Sequence, residues 1–152
     1  MIVIFLSQNF GFKCACPLCS SCLDQVKEND ELRLRVLRMK HHLLELLGKY
    51  QPKAMQCNAN MSEYQVLLLG SSGLTTCPDL MLRESILWSS LITAAGYHQD
   101  FQLDAIFLCY SAASALNNQK ASKHWANLGA KTARITRGEQ SRNARYFLDC
   151  LK

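Results

Sequence analysis

A cluster of cysteines near the start of the chain is the part of the sequence whose residue types could do chemistry. Four of the eight cysteines lie within nine residues, at Cys14, Cys16, Cys19 and Cys22. The segment also holds Pro17 and two serines, and it offers no apolar interior in which four thiols could be buried. Thiolates that converge on a loop commonly hold zinc, with sulfur ligands at about 2.3 Å in tetrahedral geometry. The cluster therefore predicts a metal site. Free thiols, or a redox pair formed by Cys16 with Cys19 or by Cys19 with Cys22, would fit the same spacing, but a redox pair is expected near a βαβ pattern and none follows.

The remaining cysteines are scattered along the chain, and each is expected to be a small buried or loop residue: Cys57, Cys77, Cys109 and Cys150. The first six residues are an apolar run that is too short for a signal peptide or a membrane span. We therefore expect an intracellular protein of the nucleus or cytoplasm with no membrane partner. In such a reducing compartment, metal ligands and free thiols are favoured over disulfides.

Hydrophobic periodicity predicts that most of the chain is helical. A long helix is expected over Asp24–Lys49, with an apolar stripe at Leu32, Val36, Met39, Leu43 and Leu46 that Leu34, Leu37 and Leu44 widen. His41 and His42 are expected on its surface. After a loop over residues 51–62, further helices are predicted over Ser62–Leu69, from Thr76 to near Gly96, over Asp100–Leu116 and Gln119–Thr136, and from Ser141 onward.

The same periodicity assigns an inward face to each later helix. The helix that begins near Thr76 is expected to bury Leu80, Leu87, Leu91, Ala94 and Ala95. The next is apolar at Phe101, Ile106, Cys109, Tyr110 and Ala113. The helix over Gln119–Thr136 is expected to bury Ala121, Trp125, Leu128, Thr132 and Ile135, and the last helix Ala144, Phe147, Leu148 and Leu151.

The expected fold class is mainly α, built from antiparallel helical hairpins because the predicted turns are short. Between Asp100 and Gly138 the small and aromatic residues fall as in a tetratricopeptide-like helix pair, with Tyr110, Ala113, Ala121 and Trp125 near the contact. A free-standing array needs about three such units. Only one and a half are visible in this sequence.

The net charge of +5 is concentrated in the last third of the chain. Among the cations there are Lys131, Arg134, Arg137, Arg142 and Arg145. Such a stripe could bind nucleic acid by releasing counterions from phosphate. A solvated helix face is the favoured interpretation, because no aromatic residues alternate with these charges as a stacking surface requires.

The segment Phe10–Cys19, with the sequence FGFKCACPLC, resembles the post-SET segment of SET-and-MYND-type and related fungal SET-domain proteins. Their pattern is aromatic-Gly-Phe-x-Cys-x-Cys-x-x-Cys. The charged helix from Asp30 and the run from Ala113 to Leu148 are similar to the helical C-terminal region of the same proteins. The resemblance divides the chain into an apolar leader at 1–8, either strand or disordered, a post-SET-like cysteine loop at 9–22 and a helical C-terminal domain at 23–152.

The resemblance implies S-adenosylmethionine-dependent lysine methyltransferases that act on histones or other proteins. By that likeness, Cys14, Cys16 and Cys19 would bind zinc together with a fourth cysteine from the SET core. Phe12 would stack by the adenine of the cofactor and Phe10 would line the lysine channel. The Asn-His-Ser-Cys segment, the cofactor-binding glycines and the catalytic tyrosine of a SET core are absent from this sequence. No catalytic residue is therefore assigned, S-adenosylmethionine is expected only in a full-length relative, and Cys22 is the local candidate for the fourth zinc ligand.

Three functions follow as expectations. The first is a fragment or degenerate copy of a SET-domain protein, non-catalytic by itself, with a zinc loop and a helical region that contacts a protein partner or the missing SET core. The second is a stand-alone helical-repeat module for protein interaction. The third is a basic chromatin or nucleic-acid binder.

Overall fold

The protein is mainly α-helical. The computed structural model describes residues 11, 22–49, 77–97 and 99–152, and within them it contains helices and turns but no strand. The helices are α1 (Leu23–Lys49), α2 (Pro78–Ala94), α3 (Gln99–Ala115), α4 (Gln119–Arg137) and α5 (Arg142–Asp149). These bounds agree with the predicted ones to within two residues. The short helix predicted over Ser62–Leu69 and the loop before it lie outside the described residues.

The turn between α3 and α4 is set by two asparagines, Asn117 and Asn118. Asn117 adopts a φ of 53°, a left-handed conformation that asparagine tolerates better than most residues. The next amide, of Asn118, then donates to the carbonyl of Ala113 at 3.0 Å and closes the end of α3. The Asn118 side chain in turn accepts a hydrogen bond from the Ala121 amide at 3.1 Å, which caps the start of α4.

Two hydrophobic clusters share α3. The first joins α1, α2 and α3 around Val36, Leu43, Trp88 and Leu108. The second joins α3, α4 and α5 around Phe107 and Phe147, whose ring centroids are 4.4 Å apart. Because α3 contributes to both clusters, it is buried on most of its circumference.

The inward face predicted for α2 is only partly correct, because Leu80, Leu91 and Ala95 are half-buried against the first cluster but Leu87 and Ala94 are exposed. The helix buries Met81, Ser85, Trp88 and Ile92, whereas Leu87 is 46% exposed. The sequence of α2 is apolar on several faces, so periodicity alone does not select one. The Trp88 indole N–H donates to the Val36 carbonyl of α1 at 3.1 Å, and this buried contact is satisfied only when the Trp88 face points inward. Thr76, where the sequence predicts this helix to begin, lies outside the described residues, and Cys77 at the cap position makes no capping hydrogen bond with its side chain.

The inward face of α4 also differs from the prediction. The helix buries small residues, namely Ala126, Gly129, Ala130, Thr132 and Ala133, while Ala121, Trp125 and Leu128 are half-buried and Ile135 is 63% exposed. Small side chains allow α4 to lie close to the Phe147 ring of α5. Other apolar residues expected inside are also exposed, namely Leu34 and Leu37 on α1 and Leu148 on α5.

Candidate interaction surface

Most residues of the predicted zinc and cofactor sites lie outside the described part of the chain. They are Phe10, Phe12, Cys14, Cys16 and Cys19. Their roles as zinc ligands, or as walls of a cofactor and lysine site, therefore remain predictions.

The one thiol of the cluster that the structure describes is Cys22. It is exposed and free, and it comes directly before α1. Its carbonyl accepts the Val26 amide at 3.1 Å, so the start of the helix fixes the Cys22 backbone. The role of Cys22 as a fourth zinc ligand also remains a prediction.

The scattered cysteines are packed into the helical region where the structure describes them. Cys109 is fully buried, and this burial raises the pKa of its thiol well above the ordinary range. Cys77 and Cys150 are half-buried. Cys150 lies beside Tyr146, whose own pKa is raised first by burial and then by the electrostatic effect of Cys150. These observations agree with buried or loop roles for the three residues, and Cys57 lies outside the described residues.

A shallow groove of about 300 Å³ runs between α1 and α2, and we call it the α1–α2 groove. It is lined by Arg35, Arg38, Met39, His42, Leu87 and Leu91. Met39 and Leu91 are half-buried and Leu87 is exposed, so the groove has an apolar floor. Arg35, Arg38 and His42 are exposed along its α1 edge. The groove therefore combines an apolar surface with a cationic border on one side.

Sequence reasoning missed this groove because the predicted face of α2 would have buried Leu87 and Leu91 in the core. His41 and His42 were expected on the surface, and both are exposed. The sequence of α1 does, however, indicate the cationic edge of the groove. Arg35, Arg38 and His42 follow one another at steps of three and four residues, which places them on one side of a helix.

The cations of the last third of the chain are exposed, and some of them have local partners. Arg134 forms an ion pair with Glu139, and Arg145 donates to the Gln140 side chain at 2.8 Å. A second shallow pocket lies here, lined by Asn127, Lys131, Arg134, Ile135 and Glu139. Because Glu139 lies among these cations, the pocket has mixed charge and is not a continuous cationic surface.

Within residues 22–49, 77–97 and 99–152, no three His, Cys, Asp or Glu side chains come together as metal ligands would. None of the helices in the same part of the chain is both long enough and apolar enough to span a bilayer.

Comparisons of the chain with protein-family models, with curated proteins and with solved structures found no match.

Proposed function

We propose that this chain is a protein-interaction module, the non-catalytic helical C-terminal part of a SET-type protein, and that its α1–α2 groove binds an acidic amphipathic helix. The observation that carries the proposal is the groove itself, an apolar floor beside an edge of cations. Helix-in-groove binding uses this combination, in which apolar anchors supply contact area and charges select the partner.

The apolar part of the groove supports a helical occupant. Leu87 and Leu91 are four residues apart on α2, so they form one ridge along the groove, and Met39 lies opposite them on α1. Leu34 and Ile86, which are next in the sequence to the lining residues Arg35 and Leu87, are 49% and 41% exposed. A partner with apolar residues at spacings of three and four would cover this surface along its length.

The charges of the groove select for an acidic partner. Arg35 and Arg38 are both exposed on its α1 edge, and no salt bridge within the described residues occupies them. An arginine fork can bind a carboxylate with two hydrogen bonds, so Asp or Glu along one flank of the partner would be recognised. A basic helix of the same apolar pattern would be repelled.

The SET-type context and the zinc site are part of the same proposal and rest on the cysteine motif. Cys14, Cys16 and Cys19 would hold zinc, with Cys22 as the fourth ligand from the start of α1. Such a site would tie the cysteine loop to the helical region. The stacking of consecutive helices further supports a tetratricopeptide-like arrangement for α3 and α4, in which each helix packs against its neighbours along the chain.

The groove is tested with two labelled helical peptides that share one leucine pattern, one with glutamates and one with lysines on its flank. We expect the full chain to bind the acidic peptide and to bind the basic one at least about tenfold more weakly. The variant Leu87→Glu should lose the acidic peptide. The matched control Leu148→Glu places the same change on an exposed leucine of α5 and should bind normally. Equal affinity for the two peptides, or full binding by Leu87→Glu, would contradict the proposal.

The zinc site is tested by measuring metal in the purified chain. One equivalent of zinc is expected in the parent, and clearly less in Cys22→Ala after dialysis against a weak chelator. Cys150→Ala, which changes a half-buried thiol of the helical region, should keep the full equivalent. Zinc well below one equivalent in the parent, or unchanged zinc in Cys22→Ala, would show that Cys22 does not complete such a site.

A further inference from the structure

Between residues 24 and 42, one face of α1 carries six charged or titratable side chains in a regular order. They are separated alternately by four and three residues, so at 3.6 residues per turn they fall within a sector of about 80°. We call this face the charge stripe, and its members are Asp24, Glu28, Glu31, Arg35, Arg38 and His42. All six are exposed. Within this range the first three are acids and the last three are bases, and the bases are those that line the α1–α2 groove. The same spacing continues with Glu45, which is an exposed acid, and Lys49.

The helix itself does not account for this order. Asp24 and Glu28, Glu28 and Glu31, and Arg35 and Arg38 are like-charged neighbours at spacings of three or four, which destabilise an isolated helix. The helix dipole acts within the first and last turns, whereas Glu31 and Arg35 lie near the middle of α1. Among the described residues, no salt bridge involves any of the six.

The order becomes complementary when a second copy of α1 lies antiparallel on the first. With a twofold axis at position 33, each residue of the charge stripe faces the one whose number adds with its own to 66. Asp24 then faces His42, Glu28 faces Arg38, and Glu31 faces Arg35. Each pair occurs twice by symmetry, along roughly 27 Å of helix at 1.5 Å per residue.

From this complementarity we infer that the occupant of the α1–α2 groove is α1 of a second copy of this chain, so that the protein forms an antiparallel homodimer. This inference rests on the proposed function and names the partner of the groove. The acidic half of each α1 lies along the cationic edge of the other copy, which is the partner chemistry that the groove selects.

Apolar contacts follow from the same symmetry. Leu34 is 49% exposed and lies one residue from the twofold axis, so the two copies of Leu34 would meet there. Leu87 and Leu91 lie in the groove beside the stripe and would be covered by the partner. A parallel arrangement in the same register would place acid on acid and base on base, so the charges specify the antiparallel one.

The experiment is a charge exchange in the full chain, followed by sedimentation equilibrium. The acidic variant Arg35→Glu/Arg38→Glu and the basic variant Glu28→Lys/Glu31→Lys should each weaken self-association by at least about tenfold. An equimolar mixture of the two should restore a dimer, because every opposed pair at these positions is again of opposite charge. Dimerisation of the parent should also weaken in 1 M salt.

The control Lys120→Glu/Lys123→Glu makes the same change of charge at exposed positions of α4 and should dimerise like the parent. Helical circular dichroism establishes that each variant is folded. A monomeric parent at 100 µM, variants that dimerise unchanged, or a mixture that stays monomeric would overturn the inference. A monomeric parent that still binds the acidic peptide would refute only the identity of the partner, whereas loss of both activities would refute the proposed function as well.

Discussion

The substitution Gly129→Ala tests a close approach between α4 and α5. Gly129 lies on the buried face of α4, against the ring of Phe147 on α5. A Cβ atom at this position would lie 2.5 Å from Cε1 of Phe147 and 2.6 Å from its Cδ1 and Cζ. Contacts below 3.0 Å are essentially never seen for real Cβ atoms, so either the ring or the helix must shift.

Two opposing effects decide the sign of the change. Alanine in place of glycine in a helix interior stabilises by about 0.5–1 kcal/mol through lower backbone entropy of the unfolded chain and better propensity. Overpacking of a filled core costs about 1–3 kcal/mol. The Phe147 ring is fully buried and lies 4.4 Å from the ring of Phe107, so it has little room to move. The overpacking effect should therefore prevail, with a net loss of about 1–2 kcal/mol.

Thermal and urea unfolding measure this loss, and for a chain of this size the midpoint should fall by roughly 2–8 °C. A double-mutant cycle with Phe147→Leu isolates the contact. Leucine lacks the ring atoms that the new methyl group would meet, so Gly129→Ala should be neutral or stabilising in the Phe147→Leu background. If Gly129→Ala stabilises the parent protein by its full helix-propensity gain, then α4 and α5 do not approach as closely as described.

Two further substitutions probe single buried groups. Ser85 is fully buried, and its hydroxyl has no hydrogen-bond partner among the described residues. The substitution Ser85→Ala should therefore raise the free energy of unfolding by up to about 1 kcal/mol. A clear loss of stability in urea titration would instead reveal a hydrogen bond at this hydroxyl. Burial raises the pKa of the Cys109 thiol from its ordinary value of 9.0. Above pH 9 the unfolded chain therefore releases a proton that the folded chain keeps. The contribution of this thiol to the free energy of unfolding is complete below pH 9 and declines above it by about 1.4 kcal/mol per pH unit. Unfolding measured from pH 8 to 10.5 should therefore show a smaller decline in Cys109→Ala than in the parent, and equal declines would mean that the thiol ionises normally in the folded protein.

The positions of the described helices could be predicted from the sequence because local chemistry determines them. Asn117 and Asn118 end one helix and cap the next, and the Ser141 hydroxyl accepts the Ala144 amide at 3.2 Å at the start of α5. These groups act within four residues along the chain. Their effect is therefore visible without knowledge of the tertiary structure.

The inward faces were harder to predict because they depend on partners far along the chain. In α2, the face is selected by a hydrogen bond from Trp88 to Val36, across 52 residues. In α4, the periodicity of large residues favoured Ile135, but the approach of the Phe147 ring requires glycine and alanine at the contact. The α1–α2 groove depends on the same selection of a face in α2. Its lining residues can therefore be identified only from the packed positions of α1 and α2.

The predicted zinc cluster illustrates a different case. The spacing of four thiols in the sequence predicts this site without any knowledge of the tertiary structure. The structure adds the position of one of the four, Cys22. Cys22 is held at the start of a 27-residue helix, so a metal ligand there would be rigid on one side. This rigidity is the reason to test Cys22 first among the four.

The position of α3 has a consequence for how the protein unfolds. One set of its side chains, including Ala105, Leu108 and Ala112, belongs to the cluster with α1 and α2, and another set, including Leu103 and Phe107, belongs to the cluster with α4 and α5. Neither cluster can lose α3 without weakening the other, so a destabilising change in one cluster should also destabilise the other, and the two should unfold together. The backbone amides of α3 should exchange with solvent hydrogen more slowly than those of α5, and only through opening of the whole helical region.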